Sequence, residues 1–273
     1  MKQYVVKEDI YDDKGILLLR KGEIVNKSIA EKLRRYRISS HPIFESKSVD
    51  SYITSRINKN KAKFIEKFKI KDEKMIDYTS KIVENIIFES KDKSWWLHVK
   101  ALISYVDWLY THSLDTALIS LLIGIQLNYT DTQLWNLGLG ALLHDVGKML
   151  IPKEVLNQPD PSNDVEMAMM RQHCILGTKS MKEYNLTDGC LDIILHHHER
   201  LDGSGYPDRL KGKEISLNCR IVMIADTIDM ITSARKDNVP NSMDEAVSIL
   251  KNDKEKYPQE LLELISDLSY DGP

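Results

Sequence analysis

Two groups of metal-ligating side chains stand at the ends of apolar runs. His144 and Asp145 follow the run from Leu137 to Leu143. His144 lies four residues after Gly140 and Asp145 four after Ala141, and residues four apart on a helix share a face. The pair is expected to point inward from a buried helix. Burying a His and an Asp without partners is costly, and metal coordination removes that cost. The second group is His196-His197-His198. His197 lies four residues after Ile193 and His198 four after Ile194, so both continue an apolar face. His196 follows Asp192 by four and falls on the polar side. His197 and His198 are therefore the expected ligands, and His196 is expected to be solvated or to sit behind them. His173 lies on the Met169/Met170 side of its segment, Asp226 four residues after Val222, and His112 four after Trp108 and three after Leu109. Each again ends or interrupts an apolar face.

Imidazole and carboxylate without thiolate suit iron, manganese or zinc, in sites of higher coordination than a structural tetrahedral zinc. Two such ions about 3.5–4 Å apart can share a carboxylate and a water, an arrangement that attacks phosphate esters. Asp145 is the expected bridge and a catalytic residue. Lys148, four residues after His144, is expected on the same rim, where an ammonium would grip a phosphate oxygen. Directly after the histidines comes Glu199-Arg200-Leu201-Asp202-Gly203-Ser204-Gly205-Tyr206-Pro207. Two glycines and a proline in five residues specify a tight loop. Its Tyr206 could stack on a base or pack on a partner protein.

The elements that must position these groups are mainly helical. From Met75 onward the pattern is helical almost without a break. Loop signals fall at Asn128 to Asp131, Asn157 to Asn163, Thr187 to Gly189, Asp202 to Pro207 and Asp237 to Pro240. Ser242 and Glu245 have capping-box spacing. Residues 1–44 differ in texture. Tyr4 to Val6 and Ile16 to Leu19 read as two strands joined by a turn, and a helical pattern starts at Asn26 or Ser28 and runs to Tyr36. Three parts are expected: a small α/β module over 1–44, a linker and connecting helix over 45–90, and an all-α metal-dependent phosphohydrolase domain over 91–273. The lysines at 59, 61, 63, 67, 69, 71 and 74 read as a solvated helix face.

Whole-chain properties narrow the class. The 273 residues are 42% hydrophobic and 29% charged with net charge -3, so no basic surplus argues for nucleic acid. The polar, acidic start does not read as a signal peptide, and the longest apolar stretch, about Ala117 to Leu127, falls short of the ~20 residues of a membrane span. A cytoplasmic protein is expected. Cys174, Cys190 and Cys219 form no CxxC pair and read as free core thiols.

Taken together, ALLHDVGK (141–148), MRQHCILG (170–177), HHERLDGSGYP (197–207) and RIVMIADTIDMITSAR (220–235) resemble the HD-GYP family of HD hydrolases, with YTHS (110–113) and IPKEVLNQP (151–159) also fitting. The likeness covers about residues 95 to 267; GILLLRKG resembles, more weakly, a small domain that precedes some members. The resemblance implies an HD-type all-α bundle and hydrolysis of cyclic di-GMP to linear pGpG, and on to GMP in some members. It implies iron or manganese held by His112, His144, Asp145, His173, His197, His198 and Asp226. Lys148 and Arg235 match positions that contact substrate phosphate, and the GYP loop, with Gly205 and Tyr206, is a candidate contact for substrate or for diguanylate cyclase (GGDEF) domains. Trinuclear members carry a glutamate where Trp108 stands here, so two metals are expected. Asn238 stands where a second basic residue is usual, and Cys174 where a proline is. Alternatives are another cyclic dinucleotide such as cyclic GMP-AMP, or a metal-bearing sensor or docking module. A homodimer is a further candidate assembly.

Overall fold

Apolar residues at helical spacing dominate from Val49 onward, and helices follow. A computed structural model of the protein describes residues 3–6, 10–11, 17–20, 24–26, 43–45, 49–70, 72–93, 95, 98–99, 107–156, 164–233 and 240–269. Among these, five short strands precede the helices: β1 (Gln3–Val6), β2 (Ile10–Tyr11), β3 (Leu17–Leu19), β4 (Ile24–Asn26) and β5 (Ile43–Glu45). β1 lies between β4 and β5, antiparallel to both, while β3 pairs with β2. The two runs expected to pair through one turn are therefore both strands but belong to different sheets. Apolar patterning marks a strand without naming its partner. The expected helix up to Tyr36 lies outside the described residues.

Ten helices follow among the described residues. α1 (Val49–Phe68) and α2 (Glu73–Glu89) fold back on one another. Asp72 starts α2 by accepting from the Met75 amide at 3.0 Å. Residues 45–90 were expected as a linker with a connecting helix. Ile57, Phe64 and Phe68 of α1 and Ile76, Val83, Ile86 and Ile87 of α2 are buried in the same core as the later helices. Lys59, Lys63, Lys69 and Lys74 are exposed as expected, whereas Lys61 and Lys67 are half-buried; Lys71 lies outside the described residues.

α3 (Asp107–Gln126) is the central element, packed against α2, α4 (Asp131–Leu143) and α8 (Leu217–Thr232). Its Trp108–Gln126 stretch is long and apolar enough, by length and composition, to cross a membrane, which corrects the shorter run read from the sequence. Of that window 83% is buried inside the bundle, so neighbouring helices account for its apolarity. Asn128 takes φ 55° after α3, and Thr130 with Gln133 forms a capping box that starts α4. The short α5 (Lys153–Leu156), then α6 (Asp164–Met181) and α7 (Asp188–His196), complete the wall around the histidines. α9 (Met243–Asn252) begins at the Ser242–Glu245 capping box foreseen in the sequence, and α10 (Gln259–Ser269) packs on it. The three cysteines are free and buried.

Two helix ends differ from the expected pattern. α4 stops at Leu143, with His144 as its C-cap. Asp145 (φ -98°, ψ 10°) opens a 3₁₀ turn over Val146–Leu150. α7 stops at His196, with His197 as its C-cap. His144, Asp145 and His197 thus sit where helices end, whereas His112, His173 and Asp226 lie within theirs.

The 3₁₀ turn crosses α6 at glycine. A Cβ on Gly147 would lie 1.9 Å from the His173 carbonyl oxygen and 2.6 Å from the Gly177 nitrogen. No rotamer relieves a clash with backbone, so Gly147→Ala must push the turn off α6. We expect it to destabilise the protein by about 3 kcal/mol, at the upper end of overpacking costs, read as a lower denaturant midpoint. An unchanged midpoint would contradict the close approach.

Candidate metal centre

Six buried side chains meet where α3, α4, α6, α7 and α8 converge. His112 comes from α3, His144 and Asp145 from the end of α4, His173 from α6, His197 from the end of α7 and Asp226 from α8. His112, His144, Asp145, His173, His197 and Asp226 are all at most 5% exposed. His198 lies just beyond the end of α7, and its side chain is 17% exposed. His196 turns away from them: its Nδ1 pairs with Asp192 Oδ1 at 2.6 Å and its Nε2 with Asp208 Oδ2 at 2.9 Å.

The two oxygens of Asp145 face different imidazoles. Oδ2 lies 3.4 Å from His112 Nε2 and 3.3 Å from His144 Nε2. Oδ1 lies 3.3 Å from His173 Nε2 and 3.8 Å from His197 Nε2. Asp226 Oδ1 is 3.2 Å from His112 Nε2, and its Oδ2 is 3.7 Å from His198 Nδ1. Among the described residues, three overlapping groups able to hold an ion share this space, His144, Asp145 and His197 linking the other two. One is His112, His144 and Asp226; the other is His173, His197 and His198, with Cys174 beside them.

Hydrogen bonds on the far side of each ring decide which nitrogen faces inward. His144 Nδ1 meets the Ala141 carbonyl at 2.7 Å, His173 Nδ1 the Met170 carbonyl at 2.7 Å, and His197 Nδ1 the Ile193 carbonyl at 3.0 Å. A carbonyl accepts only, so each Nδ1 carries the hydrogen and each neutral Nε2 presents a lone pair. Those lone pairs and the Asp145 carboxylate converge on one another. Asp145 Oδ1 is buried with no hydrogen-bond donor. A buried acceptor cluster of this kind fits a cation, since a carboxylate left so is otherwise strongly disfavoured.

The electrostatics agree. Burial pushes the His173 imidazole down to about 3, with Lys148 and His197 adding to it. Burial likewise lowers His197, and lowers His198 well below the ordinary range. These rings stay neutral and able to ligate. Burial pushes the Asp145 carboxyl up, but the Lys148 ammonium and the His112 contact outweigh it and hold it well below the usual carboxylate range. Asp226 behaves the same way, held down by His112 against burial. His112 is the exception. Burial lowers it, yet contacts with Asp145, Asp226 and Asp229 hold it well above 6.5. A proton and a metal ion are alternatives at its Nε2.

Lys148 lies on the 3₁₀ turn rather than one helical turn beyond His144. Its ammonium pairs with Asp145 Oδ2 and sits 5.9 Å from the Trp108 ring. Trp108 itself is exposed and offers no oxygen to a metal. Arg235, Lys236 and Asn238 lie outside the described residues.

The Gly203–Pro207 loop is held from beneath by Glu199, to which the sequence pattern alone gives no role. This fully buried carboxylate accepts from the amides of Asp208 (2.7 Å), Arg209 (3.0 Å) and Leu210 (3.1 Å). Gly205 passes so close that a Cβ would lie 2.4 Å from Glu199 Cα. Tyr206 is thereby laid on His198, ring centroids 4.8 Å apart, with the Arg171 guanidinium 5.3 Å from its ring. Beside it a groove of 690 Å³ runs between this loop and α6, lined by Met167, Arg171, Gln172, Ile175 and Arg209 among others. Asp229 was also missed. It accepts from His112 Nδ1 at 2.6 Å; its position three residues after Asp226 on the buried face of α8 was the available signal.

Comparison with known proteins places this architecture. Residues 81–261 match the HD domain family. The chain is 36% identical over 145 residues to the cyclic di-GMP phosphodiesterase PA4108 of Pseudomonas aeruginosa, covering 50% of this chain and 35% of that protein. It is 38% identical over 137 residues to the cyclic di-GMP phosphodiesterase response regulator RpfG of Xanthomonas campestris, covering 47% and 35%. It is 34% identical over 115 residues to the 3'3'-cGAMP-specific phosphodiesterase 1 of Vibrio cholerae, covering 42% and 27%. The chain thus spans 35% of the length of the first two of these relatives. A solved structure of Bd1817, an HDG"Y"P protein of Bdellovibrio bacteriovorus, shares the fold with a TM-score of 0.54 at 19% identity, over 97% of this chain and 93% of that one. With a family match of that extent and a buried His-Asp pair closing α4, the chain belongs to the HD domain family.

Proposed function

We propose that this chain is a metal-dependent phosphodiesterase that opens cyclic di-GMP to linear pGpG. One observation carries the proposal: inward-facing Nε2 lone pairs converge on an Asp145 carboxylate whose Oδ1 has no donor. The relatives named as cyclic di-GMP phosphodiesterases support the substrate. The proposed ligands are His112, His144, Asp145 and Asp226 for one ion and Asp145, His173, His197 and His198 for the other, with iron or manganese as the metals. Bound ions would lower the pKa of a shared water and neutralise the phosphoryl oxygens.

The chain's own residues set the rest. Asp145 faces both ligand groups, so it is the proposed bridge. Lys148, already tied to Asp145, keeps an ammonium beside the place a phosphate would take. Tyr206, fixed on His198 by Gly205 and Glu199, offers an aromatic face to a base, and Arg235 is a second proposed phosphate contact. A module over 1–44, a connecting segment over 45–90 and a catalytic domain over 91–273 complete the proposal. So do a cytoplasmic location, docking of diguanylate cyclase domains on the loop at Gly205 and Tyr206, and a homodimer.

A second reading, hydrolysis of cyclic GMP-AMP, is favoured by the likeness to a 3'3'-cGAMP-specific enzyme. The ligands act on phosphate and are indifferent to the base. Protein loaded anaerobically with iron(II) or manganese(II) should convert cyclic di-GMP to pGpG faster than it converts cyclic GMP-AMP. Equal or faster turnover of cyclic GMP-AMP would move the assignment to the second reading, and no turnover of either by metal-bound protein would end both. Asp145→Asn should lower turnover by at least about a hundredfold, the scale of losing one preorganised electrostatic contact.

Metal binding should also depend on pH in a defined direction. The metal-free protein holds a proton on His112 above 6.5, and a metal must displace it. Affinity should therefore fall as pH drops from about 8 to about 6. Burial already keeps His173 and His198 neutral, so they add nothing over that range. Calorimetric titrations in buffers of different ionisation enthalpy should report proton release; no release would count against His112 as a ligand.

A further inference from the structure

Lys67 stands in a lysine-rich run, yet its ammonium is engaged by three side chains and its side chain is only 20% exposed. It pairs with Asp229 Oδ1, lies 3.2 Å from Asp115 Oδ2 and donates to Ser233 Oγ at 2.9 Å. Asp229 and Asp115 are 1% and 3% exposed. Seven residues earlier on the same face of α1, Asn60 donates to the other Asp115 oxygen at 2.8 Å. Lys67 thus bridges two buried carboxylates, and Asn60, also on α1, donates to one of them. Asp229 in turn accepts from His112 Nδ1 at 2.6 Å, the bond that aims His112 Nε2 into the ligand cluster.

We propose that Lys67 is a positioning residue for the metal centre, acting on His112 through Asp229 and so tying α1 to metal occupancy. The inference rests on the metal-centre reading above. The chain of cause is short. A buried carboxylate keeps its orientation only while donors hold its oxygens, and here Lys67 holds Asp229 Oδ1 while Oδ2 faces His112. Among the charged groups described around Asp229, Asp115 repels it, and Lys67 compensates it from outside the ligand cluster. Without Lys67, Asp229 sits against Asp115 and ceases to be a reliable acceptor for His112. The ring then loses the hydrogen bond that fixes its tautomer and direction, the kind of partner whose loss costs about 10–100-fold in metal affinity. Lys67 is in the last turn of α1, and α1 begins four residues after β5 ends. A shift of α1 along its axis would draw the ammonium off Asp229.

The test uses manganese(II) titrations of the full chain followed by electron paramagnetic resonance, with the melting temperature of metal-free protein alongside. Lys67→Met should weaken manganese binding about tenfold or more, and Lys67→Arg, which keeps a cation, should restore most of it. Combining Lys67→Met with Asp229→Asn should weaken binding no more than Asp229→Asn alone, because both act through one bond. If Lys67→Met does not fold, Lys67→Gln is read in the same titration. Manganese affinity unchanged in the folded variant, even with a lower melting temperature, would overturn the inference. So would losses that multiply in the double variant. Absence of manganese binding by the unsubstituted protein would overturn the metal-centre reading and this inference with it, whereas tight binding that Lys67→Met leaves intact overturns this inference alone.

Discussion

The bundle is organised around one buried carboxylate, that of Asp145. It is fully buried, and one of its oxygens has no hydrogen-bond donor. Ionised carboxylates survive such burial only with compensating charge, so everything nearby is arranged to supply it. Lys148 is bent back onto Asp145 by a 3₁₀ turn rather than carried away by a continuing helix. That turn requires Gly147, because the chain there touches the backbone of α6. The same contact seats His173 against the carboxylate from the other side. Stopping α4 at Leu143 therefore serves charge compensation and helix packing at once.

The histidines show how little tertiary structure is needed to prepare a ligand. Three of them take their tautomer from a carbonyl three or four residues earlier in their own helix. Local folding alone turns these Nε2 lone pairs outward from the helix, and packing only has to bring the helices together. The loop after His198 depends on longer reach. Its shape hangs on Glu199, whose two oxygens collect three amides that would otherwise be unpaired.

Much of the helical half could be seen in the sequence. Apolar runs broken by His or Asp pointed to residues that the fold does gather, and the Ser242–Glu245 capping box marked a real helix start. The face arithmetic for Asp145 and Lys148 reached the right neighbourhood by the wrong route, since helical periodicity assumes a helix that ends at Leu143. Partnerships across long sequence distance were invisible. Nothing about Lys67 distinguishes it from Lys63 until Asp229, 162 residues away, is beside it. The pairing of β1 with β4 and β5 was hidden for the same reason: pattern reports which face of an element is apolar and is silent on what covers it.

His112 differs from the other imidazoles in where its orienting partner comes from. His144, His173 and His197 find theirs within one helical turn, whereas the acceptor for His112 Nδ1 lies 117 residues further along the chain. Contacts of large sequence separation close late, after loop entropy has been overcome. During synthesis the helices bearing His144 and His173 emerge and can present ready donors before α8 exists. His112 remains free to rotate until α8 docks on α3. The two halves of the centre therefore mature at different times, and the half built on His112 is completed only when α8 has found its place.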